Sequence, residues 1–149
     1  MSAGRRKEPF DILLVEDNPA DVRLMEEILK GGSLPARLSV ARDGVEASSF
    51  LLRRGAYSAA PRPQLIILDL NLPKKDGREL LAEIKLDPDL KRIPVLVLTT
   101  SSADPDVARA YDLQANSYVV KPLDLEEFER VVRRIEAFWL GVARLPPAD

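Results

Sequence analysis

The chain has 149 residues, of which 46% are hydrophobic, and this is enough material for one domain with a single core. The 22 basic and 24 acidic residues nearly cancel, so no basic surface favours a nucleic acid or an anionic membrane as partner. Cysteine and histidine are both absent, which excludes disulfides, thiolate or imidazole metal ligands and a histidine general base. Any bound metal must therefore be a hard cation held by oxygen atoms.

The first eight residues are charged and are not followed by the apolar core of a signal segment. No apolar stretch approaches the roughly 18 residues that are needed to span a bilayer. We therefore expect a cytoplasmic protein. We also expect a single domain over residues 1–149, with a core over about 10–135 and an extended C-terminal helix and tail over 136–149.

Short apolar runs alternate with helical patterns along the chain. The first run, Phe10 to Val15, ends in acid, and Asn18-Pro19 is a typical helix start because asparagine caps and proline fits the first helical position. Leu65 to Leu68 is too short for a helix and indicates a strand buried on both faces. Further strands are expected at 37–41, 93–98 and 117–120, and further helices after Asp43, Gly77, Asp104 and Asp124. This alternation predicts an α/β fold, in which helices cover both faces of a parallel sheet.

Four of the expected strands end in residues that can carry chemistry. Glu16 and Asp17 follow the first strand, Asp69 the third, Thr99 the fourth and Lys121 the fifth. The carboxyl ends of parallel strands lie on the same edge of the sheet, and ligands of open α/β sheets bind in the crevice outside that edge. The sequence therefore predicts one site built from all five side chains.

The chemistry of this set points to phosphoryl transfer. Carboxylates that are packed together raise one another's pKa unless cations compensate, and Lys121 with a divalent ion would supply that compensation. Carboxylates and a backbone carbonyl from the loop after Asp69 suit Mg²⁺. In such a site Asp69 would attack phosphorus, while Lys121 and the metal neutralise the phosphoryl oxygens and the Thr99 hydroxyl binds one of them.

Each feature also has a structural explanation when it is taken alone. An aspartate after a strand is commonly a turn former, Glu16-Asp17 could be part of a helix cap, and Thr99 could belong to a solvated turn. Lys121 before Pro122 could be a charged strand exit. Four independent strand ends that carry acid, acid, hydroxyl and ammonium favour a shared site over separate turns.

The motifs at these strand ends resemble the receiver domains of two-component response regulators. They are Glu-Asp after the first strand, Asp-Leu-Asn-Leu-Pro after the third, Leu-Thr after the fourth and Tyr-Val-Val-Lys-Pro at the fifth, and the likeness extends over about residues 11–132. The resemblance implies a doubly wound (βα)5 flavodoxin-like fold with strand order 2-1-3-4-5. It also implies the following roles: phosphoacceptor, Asp69; magnesium ligands, Glu16, Asp17, Asp69 and the backbone carbonyl of Asn71; switch hydroxyl, Thr99; phosphate-binding lysine, Lys121; aromatic switch, Tyr118.

A narrower resemblance is to the single-domain regulators that are paired with bacterial phytochromes. It is carried by the long loop before the third strand, by Lys-Lys-Asp-Gly at 74–77 and by Phe-Trp-Leu at 138–140. It implies a sensor histidine kinase, a bacteriophytochrome, as phosphodonor. Two positions are ambiguous: Thr100 competes with Thr99 for the switch role, and Gln114 stands where the family usually has glycine.

Other functions fit the sequence less well. A magnesium-dependent phosphatase with an aspartyl nucleophile usually has a second acid two residues after the nucleophile, and here that residue is Asn71. A nucleotide-binding module would need a glycine-rich phosphate loop after a strand, and the sequence contains none. An inactive scaffold would not need the acid, hydroxyl and lysine set. We therefore expect a phosphorylatable signalling protein, not an enzyme, whose output is protein binding.

The last helix carries an apolar seam that is longer than a five-stranded sheet can cover. Its residues recur at spacings of three and four: Leu125, Phe128, Val132, Ile135, Trp139 and Val142. We expect its C-terminal half to overhang and to expose an apolar patch, through which two copies form a homodimer. That patch consists of Phe138, Trp139, Leu140, Val142 and Leu145. The alternative is that the tail folds back on its own domain.

Overall fold

The computed structural model describes residues 9–147 and contains a parallel sheet between two layers of helices. The elements in chain order are β1 (Phe10–Val15), α1 (Pro19–Lys30), β2 (Ala36–Ala41), α2 (Gly44–Leu51), β3 (Leu65–Leu68), α3 (Gly77–Leu86), β4 (Val95–Thr99), α4 (Asp104–Asp112), β5 (Ser117–Val120) and α5 (Leu125–Glu136). A 3-10 helix, Gly55–Tyr57, precedes β3, and a π-helix, Ala137–Val142, continues α5. No helix within residues 9–147 is long and apolar enough to cross a membrane.

The sheet has the order β2-β1-β3-β4-β5 with every pair parallel, which confirms the predicted doubly wound fold. All four residues of the central strand β3 are buried, as its continuous apolar sequence predicts. Successive side chains of a strand point to opposite faces, so Ile66 and Leu68 pack with α2 and α3, whereas Leu65 and Ile67 pack with α1 and α5. The two cores therefore hold the carboxyl ends of β1, β3 and β4 in fixed register.

The helices that leave this edge start where the sequence predicts. The Asn18 side chain accepts hydrogen bonds from the backbone N–H groups of Ala20 and Asp21, at 2.9 and 3.2 Å. The Asp124 side chain likewise accepts from the Glu127 N–H at 3.0 Å. Such caps satisfy N–H groups that have no partner inside the helix. They define the direction in which α1 and α5 leave the sheet.

The C-terminal segment contradicts the expected overhang. Phe128, Val132 and Ile135 are buried as predicted, but the next inward residue is Leu140, which is 7% exposed. The reason is the π-helix, in which the Ala143 N–H donates to the Phe138 carbonyl five residues back, at 2.7 Å. The wider turn shifts the inward position by one residue, whereas the predicted seam assumed the spacing of an α-helix.

The predicted patch is therefore divided between the core and the surface. Leu140 belongs to the core between α1 and α5, and Trp139 and Leu145 are partly buried against that core. Phe138 and Val142 are exposed, at 50% and 74%. The tail thus folds back on its own domain. The expectation of an exposed patch was wrong for Trp139, Leu140 and Leu145. Leu125, which begins the predicted seam, is also exposed, at 69%.

Gln114 adopts a left-handed backbone, with φ of 76°, after the last turn of α4. A side chain is strained in this conformation and glycine is not. Because Gln114 is exposed, we expect Gln114→Gly to raise the free energy of unfolding by up to about 1 kcal/mol in urea denaturation. Gln114→Ala is the matched control, since it shortens the side chain but keeps Cβ. Equal stability of the two variants would contradict the assignment of strain to this backbone.

Candidate functional site

The side chains that the sequence places at the strand ends meet at one edge of the sheet. Glu16, Asp69, Thr99 and Lys121 are all buried, while Asp17 is exposed beside them. Glu16, Asp17 and Asp69 each offer a carboxylate oxygen, and these three oxygens lie within 4.8 Å of one another. The edge thus presents three carboxylates to one small volume, with one of them open to solvent.

Lys121 reaches from the end of β5 to carboxylates that follow β1 and β3 and to one on α1. Its Nζ lies 2.6 Å from Glu16 Oε1, 2.9 Å from Asp21 Oδ2 and 3.5 Å from Asp69 Oδ2. Asp21 was missed by the reasoning from strand ends because it lies on α1. Its position in the first turn of a helix that starts at the site could have indicated it from the sequence.

Burial and the ion pairs shift the pKa values of this cluster. Burial raises the pKa of the Glu16 carboxyl from 4.5 to about 7, because the hydrogen bond from Lys121 offsets only part of the lost hydration and the Asp69 carboxylate repels the charge. Burial alone would lower the pKa of Lys121, but its bonds to Glu16 and Asp21 outweigh that effect and raise it. The lysine is therefore charged at neutral pH, where Glu16 is partly protonated.

Thr99 has a buried hydroxyl that lacks a partner. The residue is fully buried, and its Oγ1 makes no hydrogen bond to any of the residues that the structure describes. A buried polar group without a bond costs about 1–3 kcal/mol, so this hydroxyl is available to hydrogen-bond a group bound at the same edge. The neighbouring Thr100 is exposed. The structure thus separates the two candidate threonines by burial.

The loop after Thr99 is tied to β5 and to α3. The Tyr118 hydroxyl donates to the Ser101 carbonyl at 2.8 Å, and the Ser101 hydroxyl donates to Asp106 at 2.5 Å. Arg78 at the start of α3 donates to the same Asp106 carboxylate at 3.1 Å. Tyr118 is partly buried and packs against the core that contains Ile66 and Leu68. A displacement of the loop at Thr99 would therefore also displace the Tyr118 hydroxyl.

The loop after Asp69 is packed tightly against the start of α3. The Gly77 N–H donates to the Leu70 carbonyl at 2.9 Å, and a Cβ atom at Gly77 would lie 2.5 Å from the Asp69 carbonyl oxygen. The Asn71 N–H donates to Asp69 Oδ1 at 3.2 Å, which orients the carboxylate. Asn71 itself is exposed, in the loop that the sequence selects for a carbonyl ligand.

These residues fit a hard divalent cation. The donors are carboxylate oxygens, and the chain offers no histidine or cysteine to select a softer metal. Three carboxylates are grouped here, and Lys121 is the one lysine that forms an ion pair with Asp69 among the described residues. The carboxylates outnumber the lysine, so a bound cation would neutralise the remaining negative charge. The orphaned Thr99 hydroxyl adds a donor for an anionic group at the same edge.

Comparison with known proteins identifies the class to which this fold and site belong. The family model of the response regulator receiver domain matches residues 12–133, so the chain belongs to that family. Among curated relatives, response regulator Rcp1 of Synechocystis sp. is 54% identical over 140 residues, which cover 94% of this chain and 95% of Rcp1. The probable methanogenesis regulatory protein FilR2 of Methanothrix harundinacea is 44% identical and covers 94% and 90% of the two chains.

Solved structures show the same fold along almost the whole chain. The Mn²⁺-bound form of response regulator Rcp1 has a TM-score of 0.90 at 53% identity, covering 93% of this chain and 100% of that one. The phosphorylated cyanobacterial phytochrome response regulator RcpA has a TM-score of 0.91 at 51% identity, covering 94% and 100%. The bacteriophytochrome response regulator AtBRR has a TM-score of 0.71 at 40% identity, covering 94% and 99%. Both the receiver resemblance and the phytochrome resemblance are thus confirmed.

Gly77→Ala tests the packing of the loop that carries Asp69. We expect the variant to be less stable and to bind Mg²⁺ more weakly, because the added Cβ would displace the Asp69 carbonyl and Leu70. Thermal unfolding and calorimetric titration with Mg²⁺ measure the two effects. Gly31→Ala is the control, since a Cβ there meets its nearest neighbour at an ordinary 3.6 Å. Equal behaviour of the two variants would contradict the tight packing.

The raised pKa of Glu16 makes metal binding depend on pH. A cation bound to these carboxylates must displace the Glu16 proton, so the Mg²⁺ affinity should rise about tenfold from pH 6 to pH 8 as that group ionises around pH 7. Without metal, the pH dependence of folding stability has the opposite sign to that of metal affinity. The folded state keeps a proton that the unfolded chain loses above about pH 4.5. The stability that this group contributes therefore falls as pH rises from about 4.5 and is lost as pH passes through about 7.

Calorimetric titrations with Mg²⁺ and urea denaturation across this range measure both effects. Glu16→Gln is the matched control, because it cannot ionise and should flatten both profiles. A wild-type Mg²⁺ affinity that is the same at pH 6 and pH 8 would contradict the assignment.

Proposed function

We propose that this protein is the phosphoacceptor of a two-component signalling system and that Asp69 receives the phosphoryl group. The observation that carries the proposal is the Asp69 carboxylate itself. It is buried at the carboxyl end of the central strand, 3.5 Å from Lys121 Nζ and grouped with two further carboxylates. Membership of the receiver family supports the same role.

The proposed reaction is an in-line displacement. An oxygen of the ionised Asp69 carboxylate attacks phosphorus, the bond from phosphorus to the donor nitrogen or oxygen breaks, and the donor leaves with the electron pair. The chain has no histidine, so the donor is a phosphohistidine on another protein or a small acyl phosphate. Lys121 would hold one phosphoryl oxygen and the Thr99 hydroxyl another. Mg²⁺, when bound by Glu16, Asp17, Asp69 and the Asn71 carbonyl, would neutralise the remaining charge.

We assign the donor to a sensor histidine kinase of the phytochrome type. The support is similarity to RcpA, whose structure is described as that of a phosphorylated cyanobacterial phytochrome response regulator, and to AtBRR, described as a bacteriophytochrome response regulator. The cytoplasm is the proposed location. The 22 basic and 24 acidic residues nearly cancel, which argues against nucleic acid and anionic membranes as partners.

The output would pass through the loop after β4. Thr99 would move toward the phosphoryl group, and the bond from Tyr118 to the Ser101 carbonyl would transmit that movement to β5. The competing function is a magnesium-dependent phosphatase that uses an aspartyl-phosphate. Asn71 argues against that enzyme, because an amide cannot protonate a leaving group.

Asp69→Asn tests the acceptor assignment. After incubation with Mg²⁺ and acetyl phosphate, the intact wild-type protein should gain the mass of one phosphoryl group, and Asp69→Asn should gain none because an amide is a poor nucleophile. Electrospray mass spectrometry makes the measurement. Asp112→Asn, an exposed substitution on α4, is the matched control and should be labelled like the wild type. Normal labelling of Asp69→Asn would refute the assignment.

We further propose a homodimer through the last helix and its extension. The support is the pair of exposed apolar side chains, Phe138 and Val142, that the π-helix presents on one short segment. Trp139 contacts Phe138 edge to face, with ring centroids 5.2 Å apart, and would stiffen this surface. Leu140 would support the interface from inside the core without touching the partner, and Leu145 would line its margin.

Sedimentation velocity at high micromolar concentration tests the dimer. The wild type should sediment as a dimer, and a Phe138→Ala/Val142→Ala variant should be monomeric because it removes the exposed apolar contacts. Leu123→Ala is the control, since Leu123 is 95% exposed but lies outside this segment. A wild type that stays monomeric would end the proposal.

A further inference from the structure

Lys121 is held more closely by α1 than by the proposed phosphoacceptor. The 2.9 Å bond to Asp21 and the 2.6 Å bond to Glu16 are both shorter than the 3.5 Å separation from Asp69. Glu16 belongs to the group of three carboxylates that could hold a metal ion, but Asp21 does not. The described structure gives Asp21 this single side-chain partner.

The surroundings make the Asp21 bond stronger than a surface ion pair. The Asp21 side chain is only one-quarter exposed and that of Lys121 is 7% exposed. Apolar side chains of Met25 and Phe128 line the space beside the Asp21 carboxylate. Such surroundings weaken screening by water. The Asp21 backbone is held too, because its N–H donates to the Asn18 side chain that caps α1. The carboxylate is therefore a fixed feature at the start of the helix.

We propose that Asp21 is a positioning residue that competes with the phosphoryl group for Lys121 and so shortens the lifetime of the phosphorylated protein. The inference rests on the proposed function. A lysine ammonium has three N–H groups, so it can keep its bond to Asp21 while it reaches toward Asp69. Each carboxylate that it binds, however, weakens its attraction for the phosphoryl oxygens. Asp21 also adds negative charge close to the site that an anionic phosphoryl group must occupy.

The step affected is hydrolysis of the aspartyl-phosphate. Water attacks phosphorus, the bond from phosphorus to the Asp69 oxygen breaks, and the carboxylate leaves with the electron pair while inorganic phosphate and a proton are released. In the loose, metaphosphate-like transition state, the three phosphoryl oxygens together carry less negative charge than in the aspartyl-phosphate, and the departing carboxylate carries more. A lysine bound to the phosphoryl oxygens therefore stabilises the phosphorylated ground state more than the transition state. Its partial diversion by Asp21 speeds hydrolysis.

Asp21→Asn tests the proposal, because it keeps the shape of the side chain and removes its charge. The protein is phosphorylated with acetyl phosphate and Mg²⁺, the donor is removed, and the loss of the phosphoryl group is followed by mass spectrometry. The phosphorylated lifetime should lengthen roughly three- to tenfold, the size expected for loss of one charged, partly screened hydrogen bond. The labelled fraction at a limiting donor concentration should rise as well.

Glu26→Gln is the matched control, because Glu26 is exposed on the same helix and the change also removes one negative charge. Its lifetime should equal that of the wild type. A merely structural role for Asp21 predicts the opposite sign, since a loosened site admits water and shortens the lifetime. Asp21→Ala should lengthen the lifetime as Asp21→Asn does, and circular dichroism checks that both variants are folded.

An unchanged or shortened lifetime in both folded Asp21 variants overturns the proposal, and so does an equal lengthening in Glu26→Gln. These outcomes differ from failure of the proposed function. In that case the wild type itself would not be labelled, or Asp69→Asn would be labelled as well.

Discussion

The buried ammonium of Lys121 is the charge on which the candidate site depends. It lies within 3.5 Å of carboxylates from Glu16, Asp21 and Asp69, two of which are buried. Burial of carboxylates away from water costs free energy unless a cation compensates their charge. Removal of one partner from such a group leaves an uncompensated charge. The lysine also connects parts of the chain that are distant in sequence. It follows β5, and its partners follow β1 and β3 or lie on α1. The ion pairs of Lys121 therefore contribute both to the stability of this edge and to the chemistry proposed for it.

The two loops that border this charge cluster have different mechanical character. The loop after Asp69 is tightly packed, since Gly77 leaves no space for a Cβ atom beside the Asp69 carbonyl. The loop after Thr99 begins with a buried hydroxyl that has no partner among the described residues, and it is held through Tyr118 and the Asp106 carboxylate. A site that accepts a group needs a rigid nucleophile, and a switch needs an element with two arrangements. In the proposed function, the loop after Asp69 would hold the nucleophile and the loop after Thr99 would act as the switch.

The C-terminal segment combines a core function with a small exposed surface. The π-helix moves Leu140 into the core between α1 and α5 and leaves Phe138 and Val142 exposed. π-helical turns are uncommon and often occur at functional positions. Here the turn lets a single short segment cover the domain and still expose two apolar side chains on its outer side.

The sequence by itself determined the class of fold and the edge of the sheet that carries the site. Apolar runs, caps and proline positions act over a few residues, so β3, α1 and α5 could be located, and parallel topology then required Asp69 and Lys121 to share an edge. Only the tertiary structure decided that Asp21 joins Lys121 and that Leu140 faces the core. Asp21 and Lys121 are 100 residues apart, and the π-helix changes the period on which the predicted seam relied. Contacts between distant elements and departures from regular helix geometry depend on how the whole chain packs, so local pattern does not contain them.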